Sequence, residues 1–338
     1  MTGVRPQFQK MVPDLKVDAA RNDSDAREVR HHFQELGSDP PGWHAELRLR
    51  FNGDIPDLLA NRAAPEYGRT RLVERHHKGP LIVQRPFYPE GDPCHVYLVH
   101  PPGGVVGGDE LRIDVQVDAG AHALVTTPAA TKFYRCEARV SSQTQELHAK
   151  GATLEWLPQE NIFYRGADTR TATRVHVDAG SRFIGWEINC LGLPARGEPF
   201  DAGTLRLDLE LWRSAPALVP APIKPDPFCL EKGAAPIFID RLRLRGESEA
   251  RGAPWGLAGQ EAVGTLLATP ATADDVECVR ELVADKPHAA VSLVDGVLVL
   301  RALAPQAEAV RNLFISAWQR LRPRIIGREA VLPRIWST

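Results

Sequence analysis

The reading turns on Leu111-Arg112-Ile113-Asp114-Val115-Gln116-Val117-Asp118-Ala119-Gly120-Ala121-His122-Ala123-Leu124-Val125-Thr126. Leu111, Ile113, Val115 and Val117 alternate with Arg112, Asp114, Gln116 and Asp118. That is the period of a strand with one buried face and one wet face. Asp118-Ala119-Gly120 interrupts the run and a second apolar stretch follows. The phrase Val117-Asp118-Ala119-Gly120 returns as Val177-Asp178-Ala179-Gly180, with related turns at His148-Ala149-Lys150-Gly151 and Phe200-Asp201-Ala202-Gly203. The glycines at 120, 151 and 180 separate predicted strands at 112–118 and 122–127, 144–148 and 153–157, and 174–178 and 182–188; Gly203 has a clear strand only after it. Glycine supplies the positive φ of a tight connection. Spacing of about 30 residues suggests stacked strand pairs, as in a β-solenoid or layered sandwich. Asp-Ala-Gly is equally a common hairpin turn, and the sequence leaves both readings open.

Further strands follow. Leu205, Leu207, Leu209 and Leu211 alternate with charged partners, and Ile237, Ile239, Leu242 and Leu244 do so with one slip of register. The last third changes character. A helix is expected over 272–284, capped by Thr272 or Asp274, then strands at 290–294 and 297–303 joined through Asp295-Gly296. A second helix is expected over 306–321, with Val310, Leu313, Phe314, Ala317, Trp318 and Leu321 on one face and Pro323 as its stop. The expected fold class is mainly β: solenoid-like stacked β-sheets with two α-helices in the C-terminal region. Residues 1–41 mix charges of both signs with little periodicity and read as a flexible extension. A single β-rich domain is expected over 42–338.

Composition narrows the function. The 338 residues carry 41 basic and 43 acidic side chains, a net charge of −2, which lacks the surplus that nucleic acid or an anionic membrane attracts. Five dispersed cysteines fit a reducing compartment better than a disulfide framework. No apolar run nears the roughly 18 residues of a membrane span, and the N-terminus lacks a signal-peptide core. The expectation is a soluble cytoplasmic protein.

Gly103-Gly104-Val105-Val106-Gly107-Gly108 invites a phosphate-loop reading, which fails because Asp109-Glu110 follow where Lys-Ser/Thr is required. Nor does the spacing match a dinucleotide fingerprint. There is no Cys-x-x-Cys, no His-Glu-x-x-His and no Gly-x-Ser-x-Gly, so neither a tight metal site nor a serine hydrolase is expected. His76-His77 and Cys94-His95 are neighbours whose side chains point apart on a strand. What remains is acid inside apolar strands: Asp109 and Glu110 after the glycine loop, Glu187 after Trp186, Asp240 after Ile239. Such groups sit on wet faces or line a hydrated interior, because a dry core penalises them by several kcal/mol. Paired carboxylates also permit an alternative, a β-solenoid carbohydrate-active hydrolase or lyase. The arginine-rich end, Arg311 to Arg334 with Trp318, Ile325, Ile326, Ile335 and Trp336 interleaved, suggests a protein interface.

Val83-Gln84-Arg85-Pro86-Phe87-Tyr88-Pro89-Glu90, His100-Pro101-Pro102-Gly103-Gly104-Val105-Val106-Gly107-Gly108-Asp109, Thr127-Pro128-Ala129-Ala130-Thr131-Lys132-Phe133-Tyr134-Arg135, Trp156-Leu157-Pro158-Gln159-Glu160-Asn161-Ile162-Phe163 and Leu332-Pro333-Arg334-Ile335-Trp336 together resemble the urease accessory protein UreD (UreH) family. The resemblance runs from about Gly42 to Thr338. It implies a non-enzymatic chaperone with a strand-rich, solenoid-like fold and two helices. The implied partners are UreF directly, the GTPase UreG through UreF, and apo-urease. It implies transient Ni²⁺ moving through an internal tunnel to the urease metallocentre, with GTP bound by UreG and not by this chain. By motif, the tunnel lining maps onto Asp109, Glu110, Thr131, Glu187 and Asp240. The family often has Ser at Thr131, Asp at Glu187 and Glu at Asp240, so each chemical group is kept while its reach changes. A conduit must bind weakly enough to release its ion, and carboxylates, hydroxyls and water suit that better than a Cys/His cage.

Overall fold

The computed structural model describes residues 42–53, 69–214 and 234–337. The N-terminal extension expected over 1–41 lies outside the described residues. Seven strands form the first sheet: β1 (His44–Gly53), β2 (Thr70–Lys78), β5 (Glu110–Val117), β8 (Ser141–Ala149), β11 (Asp168–Val177), β14 (Thr204–Arg213) and β15 (Ala235–Arg245), in the order β15-β14-β11-β8-β5-β1-β2. The second sheet runs β17-β18-β16-β12-β9-β6-β4-β3. Its strands are β3 (Ile82–Val83), β4 (Cys94–Val99), β6 (His122–Thr126), β9 (Thr153–Leu157), β12 (Arg182–Leu193), β16 (Ala262–Thr269), β17 (Ala289–Val294) and β18 (Val297–Ala304). The short β7 (Thr131–Phe133), β10 (Asn161–Phe163) and β13 (Glu198–Pro199) attach beside β12. Among the described residues the fold is mainly β, with two α-helices: α1 (Ala273–Val283) and α2 (Ala307–Ile325).

The repeated Asp-Ala-Gly turns are not hairpins. β5 and β6 lie in different sheets, as do β8 and β9, and β11 and β12, so each turn is a corner between layers. β5, β8, β11 and β14 pair in parallel in one sheet, and β4, β6, β9 and β12 do so in the other. The corners stack: Gly120 N donates to Gly151 O at 2.9 Å, and Gly151 N donates to the Asp178 carboxylate at 2.9 and 3.0 Å. Gly120 and Gly151 take positive φ of 74° and 58°, whereas Gly180 does not. At that corner the Asp178 side chain organises the turn instead, accepting from Gly180 N and Ser181 Oγ.

Strand alternation sorts side chains into two cores. Leu111, Ile113, Val115 and Val117 from the first sheet meet Ala123, Val125, Leu154, Trp156 and Phe183 from the second. The opposite parity of the second sheet, Leu124, Leu157, Ile184, Trp186 and Ile188, packs against Val276, Val279, Val310, Phe314 and Trp318 of the helices. The layers are therefore sheet, sheet, helices, and the central strands of the middle sheet are buried on both faces, while its edge strand β17 is largely exposed. Gly264 in β16 lets α2 settle: a Cβ there would lie 2.6 Å from Val310 and 2.8 Å from Phe314. The tail returns to this layer, where Trp336 Nε1 donates to Thr126 Oγ1 at 3.0 Å and its ring lies 6.0 Å from those of Trp186 and Trp318.

Local chemistry accounts for the ends of these elements. Thr272 caps α1 in a reciprocal box with Asp275. Asp295 and Gly296 both take positive φ, 47° and 75°, as a two-residue hairpin turn requires. Two expectations need correction. The inward series of β15 is Phe238, Asp240, Leu242 and Leu244, and Ile239 is exposed. The irregularity lies near Ile237, where pairing with β14 shifts between Leu211 and Trp212. A carboxylate in the inward series had imitated a slip further along. Pro323 does not stop α2, which continues to Ile325.

The reason for the second correction is a buried ionic network. Arg322 on α2 is fully buried. Its Nε donates to Glu155 Oε2 at 3.0 Å, and Nη1 and Nη2 donate to Glu90 Oε2 and Oε1 at 2.7 Å each. Glu155 also accepts from Trp318 Nε1 at 2.6 Å and meets His122 Nε2 at 2.7 Å, while Glu90 meets His95 Nε2 at 2.7 Å. Burial by itself would raise Glu155, but the His122 hydrogen bond and the charges of His122 and Arg322 overcome it and hold its pKa at about 2. Fixing Arg322 and burying Ile325 carries the helix through the proline.

Replacing Arg322 by Met would leave two carboxylates in the interior without their cation. The variant is expected to lose about 3–5 kcal/mol of stability in urea unfolding. A loss below 1 kcal/mol would contradict the network's structural role.

Candidate functional site

Between the sheets the interior is divided along the strands. On β8 and β11 the inward residues nearest the corners are Leu147, Ala149, Val175 and Val177, all apolar. Further along the same faces they become Ser141, Gln143 and Gln145 on β8, and Thr169, Thr171 and Thr173 on β11, all buried. From the second sheet Glu187 and Asn189 share the parity of Phe183 and Leu191 and face this polar belt.

Hydrogen bonds knit the belt. Thr173 Oγ1 lies against Gln145 Oε1 at 2.9 Å and also against Glu187 Oε1. One hydroxyl proton cannot serve both acceptors, so a protonated Glu187, donating to Thr173, satisfies the second contact. The environment favours that form: burial first, then the Asp240 carboxylate, push Glu187 up to about 7. Asp240 accepts from Thr265 Oγ1 at 3.3 Å and pairs with Arg301 Nη2 at 3.0 Å. Thr265 stands directly opposite Glu187 in the pairing of β12 with β16. Asn161 Nδ2 donates to Asn189 Oδ1 at 3.0 Å, and Thr131, Asn161 and Asn189 form one row across β7, β10 and β12. Thr171 Oγ1 is buried here without a hydrogen-bond partner among the described residues.

Of the five residues singled out by sequence, Glu187 and Asp240 meet in this belt, and Thr131 lies in the row through Asn189. Asp109 is elsewhere. Its buried carboxylate accepts from Trp43 N at 2.9 Å and Val106 N at 3.0 Å, so the glycine loop closes on its own acid. Glu110, with the opposite parity, faces outward and pairs with His44 at 3.2 Å and Arg112 at 3.6 Å. Asp109 and Glu110 therefore point in different directions and do not form a facing carboxylate pair, one of the pairs that the carbohydrate-cleaving alternative could use.

Of the arginine-rich end Arg322 is buried, while Arg320, Arg324 and Arg334 are exposed. Arg320, Arg324 and Arg328 pair with Glu281, Asp275 and Asp92, and Arg311 reaches Gln159. Cys94 and His95 point to different surroundings, His95 to Glu90 and Cys94 into the first core, where burial pushes its thiol up to about 11. Sequence reasoning passed over Glu155, although Thr153-Leu154-Glu155-Trp156-Leu157 carries the same signal as Glu187, an acid within an apolar strand. It also passed over Glu146, His148 and His176, three ligand-type side chains that converge on the outer face of the first sheet. Among the described residues, no helix is long and apolar enough to cross a membrane.

The UreD urease accessory protein family model matches residues 44–337. The chain is 41% identical over 302 residues to the urease accessory protein UreD of Alkalilimnicola ehrlichii, covering 88% of this chain and 92% of that one. It is 41% identical over 301 residues to UreD of Klebsiella aerogenes, covering 88% and 97%, and 40% identical over 327 residues to UreD of Hahella chejuensis, covering 91% and 97%. The chain belongs to the UreD family of urease accessory proteins.

Two outcomes follow from the geometry. Asp109→Ala strands two loop amides and should cost about 1–3 kcal/mol, whereas Glu110→Ala should stay within about 0.5 kcal/mol; paired urea melts compare them. Glu187 has a folded pKa above its unfolded value of about 4.3. Its native state therefore holds the extra proton, and its contribution, full below that unfolded value, is lost as pH rises through about 7. Glu187→Gln should gain roughly 1–3 kcal/mol over the wild type at pH 8 relative to pH 4. Parallel pH profiles of the two proteins would refute the assignment.

Proposed function

We propose, with membership of the UreD family as the premise, that this chain is a non-catalytic scaffold for urease maturation in the cytoplasm. It binds UreF directly, engages the GTPase UreG through UreF, docks on apo-urease, and passes Ni²⁺ towards the urease metallocentre. GTP belongs to UreG. This chain holds no tightly bound cofactor, and nickel is its cargo.

The observation that carries the reading is the buried polar belt centred on Glu187. An ion crossing it meets hydroxyl, amide and carboxylate oxygens. Ni²⁺ binds imidazole and thiolate far more tightly, so an oxygen-lined belt favours passage over retention. Glu187, poised near pH 7, can release its proton as a cation arrives and take one back as it leaves. Asp240 adds negative charge, and its Arg301 partner keeps that charge from being fully exposed to the cargo. The relatives' printed names, urease accessory protein, support the setting of this activity.

The test is co-expression of the chain with UreF and UreG, size exclusion, and nickel-dependent activation of apo-urease. The Glu187→Gln, Asp240→Asn double variant should form the same complex yet activate urease about tenfold more slowly, the loss typical of disturbed metal-handling groups. Wild-type activation by the variant would remove the conduit role. Loss of the complex would make the two acids structural. Glycan turnover by the purified chain is expected to be nil.

A further inference from the structure

We propose that Glu146, His148 and His176 form a binding site for a divalent first-row transition-metal ion on the outer face of the first sheet. The site is separate from the inter-sheet belt and does not rest on the conduit reading.

Strand geometry builds it. Glu146 and His148, two apart on β8, share the outward face, whereas Gln145 and Leu147 between and beside them point inward. Parallel register sets His176 of β11 directly beside His148. The two imidazoles stack with centroids 4.6 Å apart and planes within 8°, and Trp212 of β14 continues the stack 6.5 Å from His176. One ligand atom from each of the three residues lies within 4.8 Å of the others. A first-row ion bound at about 2.0–2.2 Å needs its ligands closer. Imidazole lone pairs lie in the ring planes, so binding would turn the two rings out of their parallel stack to aim at one point.

Two further observations point to a ligand. His176 is more than nine-tenths buried, yet its Nδ1 has no hydrogen-bond partner among the described residues, an uncommon state for a buried ring nitrogen. Its Nε2 lies 3.5 Å from Glu146 Oε2, too far for a good hydrogen bond. Meanwhile Arg174 Nη1 donates to Glu146 Oε1 at 2.7 Å and its Nε reaches Glu210 at 3.5 Å. Arg174 thereby fixes the carboxylate and leaves Oε2 towards the imidazoles, the part an outer partner plays in metal sites. Two imidazoles and one carboxylate suit Zn²⁺, Ni²⁺ or Cu²⁺ rather than Mg²⁺ or Ca²⁺. Three protein ligands leave a position for water or for a donor from another molecule, and half-buried His148 gives the ion a way in.

Equilibrium dialysis of the full chain against Ni²⁺ alone, and separately Zn²⁺ alone, tests the site. The wild type and Glu187→Gln should each retain one saturable equivalent. His148→Gln, a change at a half-buried position, should bind about tenfold or more weakly with an unchanged far-UV spectrum. Co²⁺ loading adds a second readout: visible bands of a nitrogen-ligated ion in the wild type, lost in His148→Gln and in His176→Gln. Absence of saturable binding, equal binding by His148→Gln, or loss of binding in Glu187→Gln instead would overturn the proposal. None of these readouts involves urease or UreF, so failure here and failure of the conduit are distinguishable.

Discussion

The ion cluster around Arg322 is the constraint on which the layering depends. One guanidinium, fully buried, joins Glu155 of β9 to Glu90 in the loop before β4, while His122 and His95 close the outer ends. An uncompensated charge in that position would cost several kcal/mol, so helix, middle sheet and loop must be docked together for any of them to be stable. The cluster also explains why a helix persists beyond a proline. Pro323 lacks an amide donor, yet the residue before it is clamped and Ile325 two places later is buried.

A second consequence concerns the middle sheet. Because both faces of its central strands are covered, these strands lose the clean alternation of half-buried strands and read as near-continuous apolar runs. Polar residues within them are then informative, since each must be satisfied inside the protein. Glu155 and Glu187 illustrate two solutions. Glu155 faces the helices, gains a guanidinium, and is held ionised with a pKa near 2. Glu187 faces the other sheet, gains hydroxyl and amide neighbours and a second acid, and is pushed to about 7. The first serves stability, and the second provides a group that exchanges protons near neutrality.

The two faces of the first sheet differ in donor chemistry in the same way. Its inward face offers oxygen donors next to Glu187. Its outward face brings two imidazoles and a carboxylate together. Neighbouring residues of β8, Gln145 and Glu146, take part in the two environments respectively, which only a strand's alternation allows.

The sequence by itself determined the strand alternation, the stacked spacing of about 30 residues, both helices with the Thr272 cap, the Asp295-Gly296 turn and the family, because these are written in local patterns and ordered motifs. Tertiary structure alone decided which carboxylates meet. Asp109 and Glu110 are adjacent in the chain yet diverge by strand parity, while Glu187 and Asp240 are 53 positions apart and converge because their sheets face each other. His148 and His176 become neighbours only through the parallel register of β8 and β11. Register and sheet-to-sheet packing are set by the summed burial of many side chains, and no short stretch of sequence contains that sum.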